Sequence, residues 1–177
     1  GRKFFNHFDF EVIQLYPKLD GTFPNHEANP LKEENLEDIK KEIKKHKADL
    51  GIAFDGDADR IFFIDEKSRT VGSDKITALI SKSILKEAPG AKILYDLRSS
   101  KIVPETIEDN GGWPVISRVG HSFIKAKMRE ENAKFAGELS GHFYLQDNYY
   151  FESPFYVIMK ILEILNNTGK NFSEILK

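Results

Sequence analysis

Apolar residues recur in two rhythms along this chain, and the switches between them mark alternating strands and helices. Phe4, Phe5 and Phe8 have helical spacing, like the last turn of a helix, so the chain reads as cut from something longer. Residues 10–16 then alternate loosely and predict a strand. Residues 17–30 form a loop marked by Asp20-Gly21, Pro24 and Pro30. Leu36, Ile39 and Ile43 predict a helix over residues 33–47, with acids early and lysines late, as the helix dipole favours. Two short apolar runs, 50–54 and 61–64, read as buried strands around a polar turn, and residues 65–70 are turn-like again.

The second half repeats the alternation. Ser73 is the expected N-cap of a helix using Ile76, Leu79, Ile80 and Ile84, ended by Pro89-Gly90. A strand over 92–95 leads to a helix through Ile102, Val103 and Ile107 that stops at Asn110-Gly111-Gly112. A strand over 115–119 is followed by a helix opening at Gly120-His121-Ser122. Short strands at 134–136 and 143–145 flank a polar loop, an apolar helix at 155–165 closes the core, and Thr168-Gly169 precedes a last short helix. Strand–helix alternation implies crossover units. The expected fold is mixed α/β, with largely parallel sheets and helices on both faces. A boundary near Arg69 divides it into residues 1–69 and 70–177.

Composition narrows the class. Of the 177 residues, 40% are hydrophobic and 31% charged, ordinary values for a soluble globular chain. A formal charge of -2 carries no basic excess, so nucleic acid is not an expected partner. The absence of cysteine excludes disulfides and thiolate metal sites, and fits a reducing compartment. No apolar run approaches the roughly 18 residues of a membrane span, and no signal peptide opens the chain. The expectation is a cytoplasmic protein with no membrane partner. The 14 phenylalanines fall mostly inside apolar runs, where core packing accounts for them.

The densest chemistry lies between the strands at 50–54 and 61–64. Asp55, Asp57 and Asp59 occupy alternate positions, followed by Arg60. Like charges about 4 Å apart repel by about 1 kcal/mol in water and about 4 at an effective dielectric of 20, so something positive must compensate them. Carboxylates are hard ligands suited to Mg²⁺, Mn²⁺ or Ca²⁺. Gly56 and Ala58 are small enough for the backbone to curl and converge the three side chains. An EF-hand reading fails, because it needs Gly where Arg60 stands and helices where strands are predicted. Asp55-x-Asp57 also fits the nucleophile pattern of an aspartyl-phosphate phosphatase, although Asp59 replaces the usual Thr or Val.

Three further stretches carry polar chemistry. Gly137-Glu138-Leu139-Ser140-Gly141-His142 offers a close backbone approach with carboxylate, hydroxyl and imidazole, the groups that vicinal sugar hydroxyls need. Gly120-His121-Ser122 opens a helix whose N-terminus favours an anion, with Lys125 one turn inside. Arg98 stands on a loop after a strand, where sheets of this type bind ligands.

Asp-Gly-Asp-Ala-Asp-Arg resembles the metal loop of the α-D-phosphohexomutases, the phosphomannomutase/phosphoglucomutase superfamily. The Gly137–His142 stretch (residues 137–142) resembles their Gly-Glu-x-Ser-Gly-His sugar loop, with Leu139 where Met is common. Gly120 to Lys125 resembles their Gly-His-Ser-x-Ile-Lys stretch, and the 23–30 loop also resembles the segment found before the metal loop. The resemblance implies phosphoglucomutase-like domains, with 1–69 the end of domain 2 and 70–177 domain 3. It implies Mg²⁺ held by Asp55, Asp57 and Asp59, and Arg60 reaching the moving phosphoryl group. His121, or less readily His142, would move a hydroxyl proton. Glu138, Ser140, His142 and Lys125 would grip the sugar phosphate, and Arg98 stands where the family often has Lys. Family members interconvert hexose 1-phosphate and hexose 6-phosphate through a phosphoserine and a hexose 1,6-bisphosphate.

These 177 residues contain no Thr-Ala-Ser-His-Asn-Pro-like phosphoserine loop, since Asn25-His26-Glu27-Ala28-Asn29-Pro30 has no serine. No C-terminal phosphate loop rich in Arg, Ser, Gly and Thr occurs either. The expectation is therefore a mutase piece that works only with the remaining domains of its parent. Its rivals are a non-catalytic module that binds metal and sugar phosphate, and, more distantly, the phosphatase.

Overall fold

The computed structural model describes residues 2–5 and 7–177. A single turn, α1 (Arg2–Phe5), precedes a long irregular stretch, and α2 (Glu37–His46) is entered through a 3-10 turn at Glu33–Leu36. Strands β1 (Leu50–Phe54), β2 (Ile61–Asp65) and β3 (Thr70–Val71) form the first sheet. The remaining elements are α3 (Ser73–Glu87), β4 (Lys92–Asp96), α4 (Ile102–Asp109), β5 (Trp113–Ser117) and α5 (His121–Glu131). Then follow β6 (Phe135–Gly137), β7 (Phe143–Leu145), β8 (Phe151–Glu152), α6 (Pro154–Thr168) and α7 (Phe172–Ile175). The second sheet runs β5-β4-β6-β7-β8.

The class is mixed α/β, but parallel pairing is confined to β4 with β5 and β6. The α4 and α5 crossovers permit it there. Everywhere else the connections are too short for a crossover and the strands turn back antiparallel: β1 with β2, β2 with β3, β6 with β7, and β7 with β8. The first sheet is thus wholly antiparallel, and Phe54 faces Ile61 across the aspartate loop.

Three other expectations are corrected. Residues 10–16 form no strand, because no neighbouring strand among the described residues offers a ladder, and Phe10, Val12 and Ile13 stay more than a third exposed. The N-cap of α3 is Gly72, with extended backbone and a carbonyl that accepts from Lys75 and Ile76. Ser73 is already helical and buried, and its carbonyl takes the Thr77 hydroxyl. Strand β5 begins earlier than its apolar run, since Trp113 is paired with Lys92 and the ladder ends at Ser117 opposite Asp96. Nothing in the apolar pattern announced β8.

Alternation sorts the side chains of the second sheet. Ile93, Phe135, Phe143 and Leu145 face α3, α4 and α6, whereas Leu94, Ala136 and Tyr144 pack on Ile124 and Met128 of α5. Helices therefore cover both faces. In the first sheet Ile64 packs toward Ile43 of α2, while Ile61 and Phe63 point into the cluster that holds α6 and Phe172. One hydrophobic core is shared between the two sheets. No described helix is long and apolar enough to cross a membrane.

Close packing leaves no room at Gly137, where an added Cβ would stand 2.1 Å from Thr77 Oγ1 and 2.7 Å from its Cγ2. Gly137→Ala should lose about 1–3 kcal/mol of stability through overpacking. Adding Thr77→Ala should return part of that loss, so urea denaturation of the single and double variants should give a favourable coupling. Additive losses would show that the contact is not the cause.

Candidate active site

The aspartate loop is the turn of the β1–β2 hairpin. Ala58 adopts a left-handed φ of 61°, which folds the loop back, and its N–H closes on the Asp55 carbonyl at 3.3 Å. The carboxylates of Asp55, Asp57 and Asp59 each offer an oxygen within 4.8 Å of the others. Asp55 is buried, Asp59 half-buried and Asp57 exposed. Arg60 braces the first: its amide donates to Asp55 Oδ1 at 3.1 Å and its Nε to Oδ2 at 2.6 Å. Burial pushes the Asp55 carboxyl up, but those two hydrogen bonds and the guanidinium charge outweigh it and hold the pKa below the usual value. Asp59 goes the other way. Burial raises it, the pull of His142 only partly opposes this, and the neighbouring Asp55 and Asp57 add repulsion.

On one side this loop borders an open cavity of about 650 Å³, whose other wall is Thr22, Phe23, Glu27 and Ala28. On the other side it meets the 137–142 loop, which is the β6–β7 hairpin. The Ile61 amide donates to the Gly141 carbonyl at 3.0 Å, and His142 Nε2 lies 3.4 Å from Asp59 Oδ2. Gly141 has φ of 92°, and a Cβ there would stand 2.6 Å from the Phe62 ring, so only glycine lets the two loops touch.

The polar side chains of the second loop form one network. Ser140 Oγ is 3.0 Å from His142 Nδ1 and donates more weakly, at 3.4 Å, to Glu138 Oε2. Tyr144 donates its hydroxyl to Glu138 Oε1 at 2.5 Å, and burial together with that carboxylate pushes the phenol pKa far up. Arg98 Nη2 lies 3.7 Å from Glu138 Oε2 and donates to Asp96 Oδ2 at 2.7 Å. Burial holds the His142 imidazole below its ordinary pKa despite Asp59, and the nearby His121 adds to the depression.

His121, at the start of α5, lies with its ring 4.4 Å from that of His142. Its Nδ1 is 2.6 Å from Glu152 Oε1, and Lys125 Nζ reaches Glu152 Oε2 at 2.8 Å. Burial raises the Glu152 carboxyl, but hydrogen bonds from Lys125, from its own backbone amide and from His121 bring it below the usual range. The structure thus brings Asp59, His121 and His142 together, draws Asp55, Asp57 and Arg60 into the same turn, and joins Glu138, Ser140 and Arg98 to them. Lys125 joins through Glu152 and lies 4.6 Å over the Phe151 ring.

Three site residues escaped sequence reading: Glu152, Tyr144 and Asp96. Asp96 is fully buried and accepts from the amides of Arg98 and Leu139 at 2.8 and 2.9 Å, so it fixes the 137–142 loop to the end of β4. A carboxylate closing an apolar run at a parallel strand end was the available signal. Glu152 gave none, because β8 itself was not legible.

Residues 72–177 match the family model described as phosphoglucomutase/phosphomannomutase, alpha/beta/alpha domain III, and residues 2–70 match domain II of the same family. The chain is 51% identical over 171 residues to a phosphomannomutase of Methanocaldococcus jannaschii, covering 96% of this chain and 38% of that relative. It is 39% identical over 171 residues to the phosphohexose mutases of Xanthomonas campestris pv. campestris strain B100, covering 97% and 38% respectively. A solved phosphoglucomutase/phosphomannomutase family protein from Burkholderia thailandensis superposes with a TM-score of 0.89 at 35% identity, over 93% of this chain and 36% of that one. The chain thus spans well under half the length of these relatives.

Asp96 offers a direct check on how the loop is held. Asp96→Ala orphans the Leu139 amide and the Arg98 guanidinium, and should cost roughly 1–3 kcal/mol. Hydrogen exchange of the Leu139 amide should accelerate more than that of β7 amides. Unchanged protection at Leu139 would mean that the hairpin, not the carboxylate, sets the loop.

Proposed function

The chain belongs to the phosphoglucomutase/phosphomannomutase family, and from that premise we propose that it is the part of a phosphohexomutase that grips the sugar and supplies the metal loop. In this reading residues 1–69 are the end of the second domain and residues 70–177 the third. The parent enzyme interconverts hexose 1-phosphate and hexose 6-phosphate, with a phosphoserine on another domain and a hexose 1,6-bisphosphate intermediate. The observation that carries the reading is the meeting of two hairpin loops from different sheets, with Asp59 and His142 3.4 Å apart.

Asp55, Asp57 and Asp59 fit a hard divalent ion: three carboxylates converge, and Asp55 retains free lone pairs beside its two bonds from Arg60. Magnesium held there supplies positive charge to a phosphoryl group in transfer. Arg60, once its guanidinium swings from Asp55, offers fork-shaped donors to the same group. His121 is the proton mover, because it is the more exposed imidazole and Glu152 fixes its ring through Nδ1, leaving Nε2 for the substrate hydroxyl. Glu138 and Ser140 take adjacent ring hydroxyls, and Arg98 and Lys125 add positive charge for the phosphate end.

The 3- and 4-hydroxyls lie almost symmetrically about the half-turn that exchanges the two ends of the sugar. One carboxylate–hydroxyl pair can therefore serve both poses. The 2-hydroxyl, which separates glucose from mannose, falls outside that pair. A second reading, a module that binds metal and sugar phosphate without turning it over, is favoured for these residues alone by the lack of any serine in the 23–30 loop.

Two measurements follow. The 177-residue chain should bind Mg²⁺ weakly and show no conversion of hexose 1-phosphate to 6-phosphate; clear turnover by a clean preparation would overturn the proposal that the phosphate carrier lies elsewhere. In the complete enzyme, Glu138→Gln keeps the acceptor for Tyr144 but removes the charge. Charged hydrogen bonds are worth roughly 1.5–3 kcal/mol and neutral ones about half, so affinity should drop about threefold to tenfold. Dissociation constants for the 1-phosphate and the 6-phosphate should rise together. Binding is the proper readout, because the overall equilibrium ties the two kcat/KM values to a fixed ratio. A rise confined to one phosphate would refute the shared grip.

A further inference from the structure

We propose that Asp59, His121 and His142 form a second metal site, selective for a borderline-soft divalent ion such as Zn²⁺ or Co²⁺ and distinct from the three-aspartate loop. Each of the three residues offers a donor atom within 4.8 Å of the other two. Bonds of about 2.0–2.1 Å at a tetrahedral angle put neighbouring donors about 3.3 Å apart. His142 Nε2 and Asp59 Oδ2 already stand at 3.4 Å. One edge of the coordination figure is therefore built into the fold.

The outer partners point the same way. Metal-bound histidines almost always anchor their other ring nitrogen on a carboxylate, backbone carbonyl or water, and a serine hydroxyl can take the water's place as acceptor. His121 Nδ1 is held by Glu152 at 2.6 Å, and His142 Nδ1 by Ser140 at 3.0 Å. Glu152 is itself braced by Lys125 at 2.8 Å. Both imidazoles are thus fixed through Nδ1, with Nε2 left for an ion. Their rings lie 4.4 Å apart at 69°, edge to face, and each ring places a nitrogen within 4.8 Å of a donor of the other and of Asp59. His121 is exposed, which leaves an entry path and an open fourth position.

Ligand chemistry separates the two sites. Three carboxylates suit a hard ion, whereas two imidazoles with one carboxylate suit Zn²⁺ or Co²⁺. Asp59 belongs to both sets, and two dications sharing one carboxylate at this range repel, so occupation of one site opposes the other. The binding stands on this geometry alone. In the proposed mutase it has a consequence that does rest on that reading: an ion on both imidazoles removes the proton mover and inhibits.

The test is titration of the 177-residue chain with Co²⁺, followed by its visible absorption and by calorimetry. The chain has no cysteine to compete for the probe. One equivalent should bind with a four- or five-coordinate spectrum. His121→Ala and His142→Gln should each weaken binding at least about tenfold, Asp57→Asn by less than about twofold, and millimolar Mg²⁺ should lower the apparent affinity. His121 is exposed, so its truncation threatens the fold least, and circular dichroism checks both histidine variants. Retention of binding in both histidine variants with loss in Asp57→Asn would place the ion among the aspartates and overturn the proposal. Loss in His46→Ala, whose imidazole sits by Glu42 on α2, would place it on that helix and do the same. Absence of any binding at millimolar Co²⁺ would also refute it. These outcomes involve no turnover, so they leave the mutase reading to its own tests.

Discussion

The amide of Ile61 donates to the carbonyl of Gly141 at 3.0 Å, and the ring of Phe62 fills the space that any side chain at position 141 would need. That contact joins two hairpins from two sheets, and the site exists only because they touch. Strand β2 leaves the contact and runs into the core, where Ile61 and Phe63 share a cluster with α6 and Phe172. At its far end Glu66 accepts the Ser173 amide at 3.0 Å. The first sheet is thus held to the second unit at both ends of one strand, with apolar packing between. A shift of the order of 1 Å along this seam would separate Asp59 from the imidazoles, and geometry of that kind decides rates.

A single electrostatic device recurs three times around this seam. Asp55, Asp65 and Asp96 each end or follow a strand, are buried, and accept both a backbone amide and a guanidinium from an arginine a few residues on: Arg60, Arg69 and Arg98. A buried carboxylate without such partners would cost several kcal/mol or give up its charge. Among the described residues Asp59 has no arginine of its own, and burial and the neighbouring carboxylates raise its carboxyl. That leaves it the carboxylate of the loop most in need of an external cation. Asp55, by contrast, already has Arg60 as its counter-charge.

The side chains of the 137–142 loop are held by one another and by their neighbours. Arg98, Glu138, Tyr144, Ser140 and His142 are linked by successive polar contacts, as are His121, Glu152 and Lys125, and the His121 and His142 rings join the two groups edge to face. Groups locked in this way do not have to reorganise when charge develops, which is where enzymes gain most of their electrostatic advantage. The bonds that Tyr144 and Asp96 make account for the position of these groups.

Much of this was legible in the sequence. Short apolar runs located β1, β2, β4 and β7, of which β2 and β7 are buried at every position, and period-3.6 patterns located most helices, which bury one face. The aspartate loop and the 137–142 loop were visible because charged or glycine-rich residues between apolar strands contradict burial unless they do chemistry. Pairing was not legible. Strand alternation says which residues share a face but not which neighbour supplies the ladder, so residues 10–16 read as a strand and form none, and parallel pairing stopped at β6. Strand β8 is two residues long, too short for any period to show. Only the tertiary structure set Glu152 against His121 and Lys125, Tyr144 against Glu138, and Asp59 beside His142, since these pairs come from separate elements joined by packing. Local sequence selects the groups; the shared core and the glycine at 141 decide which of them meet.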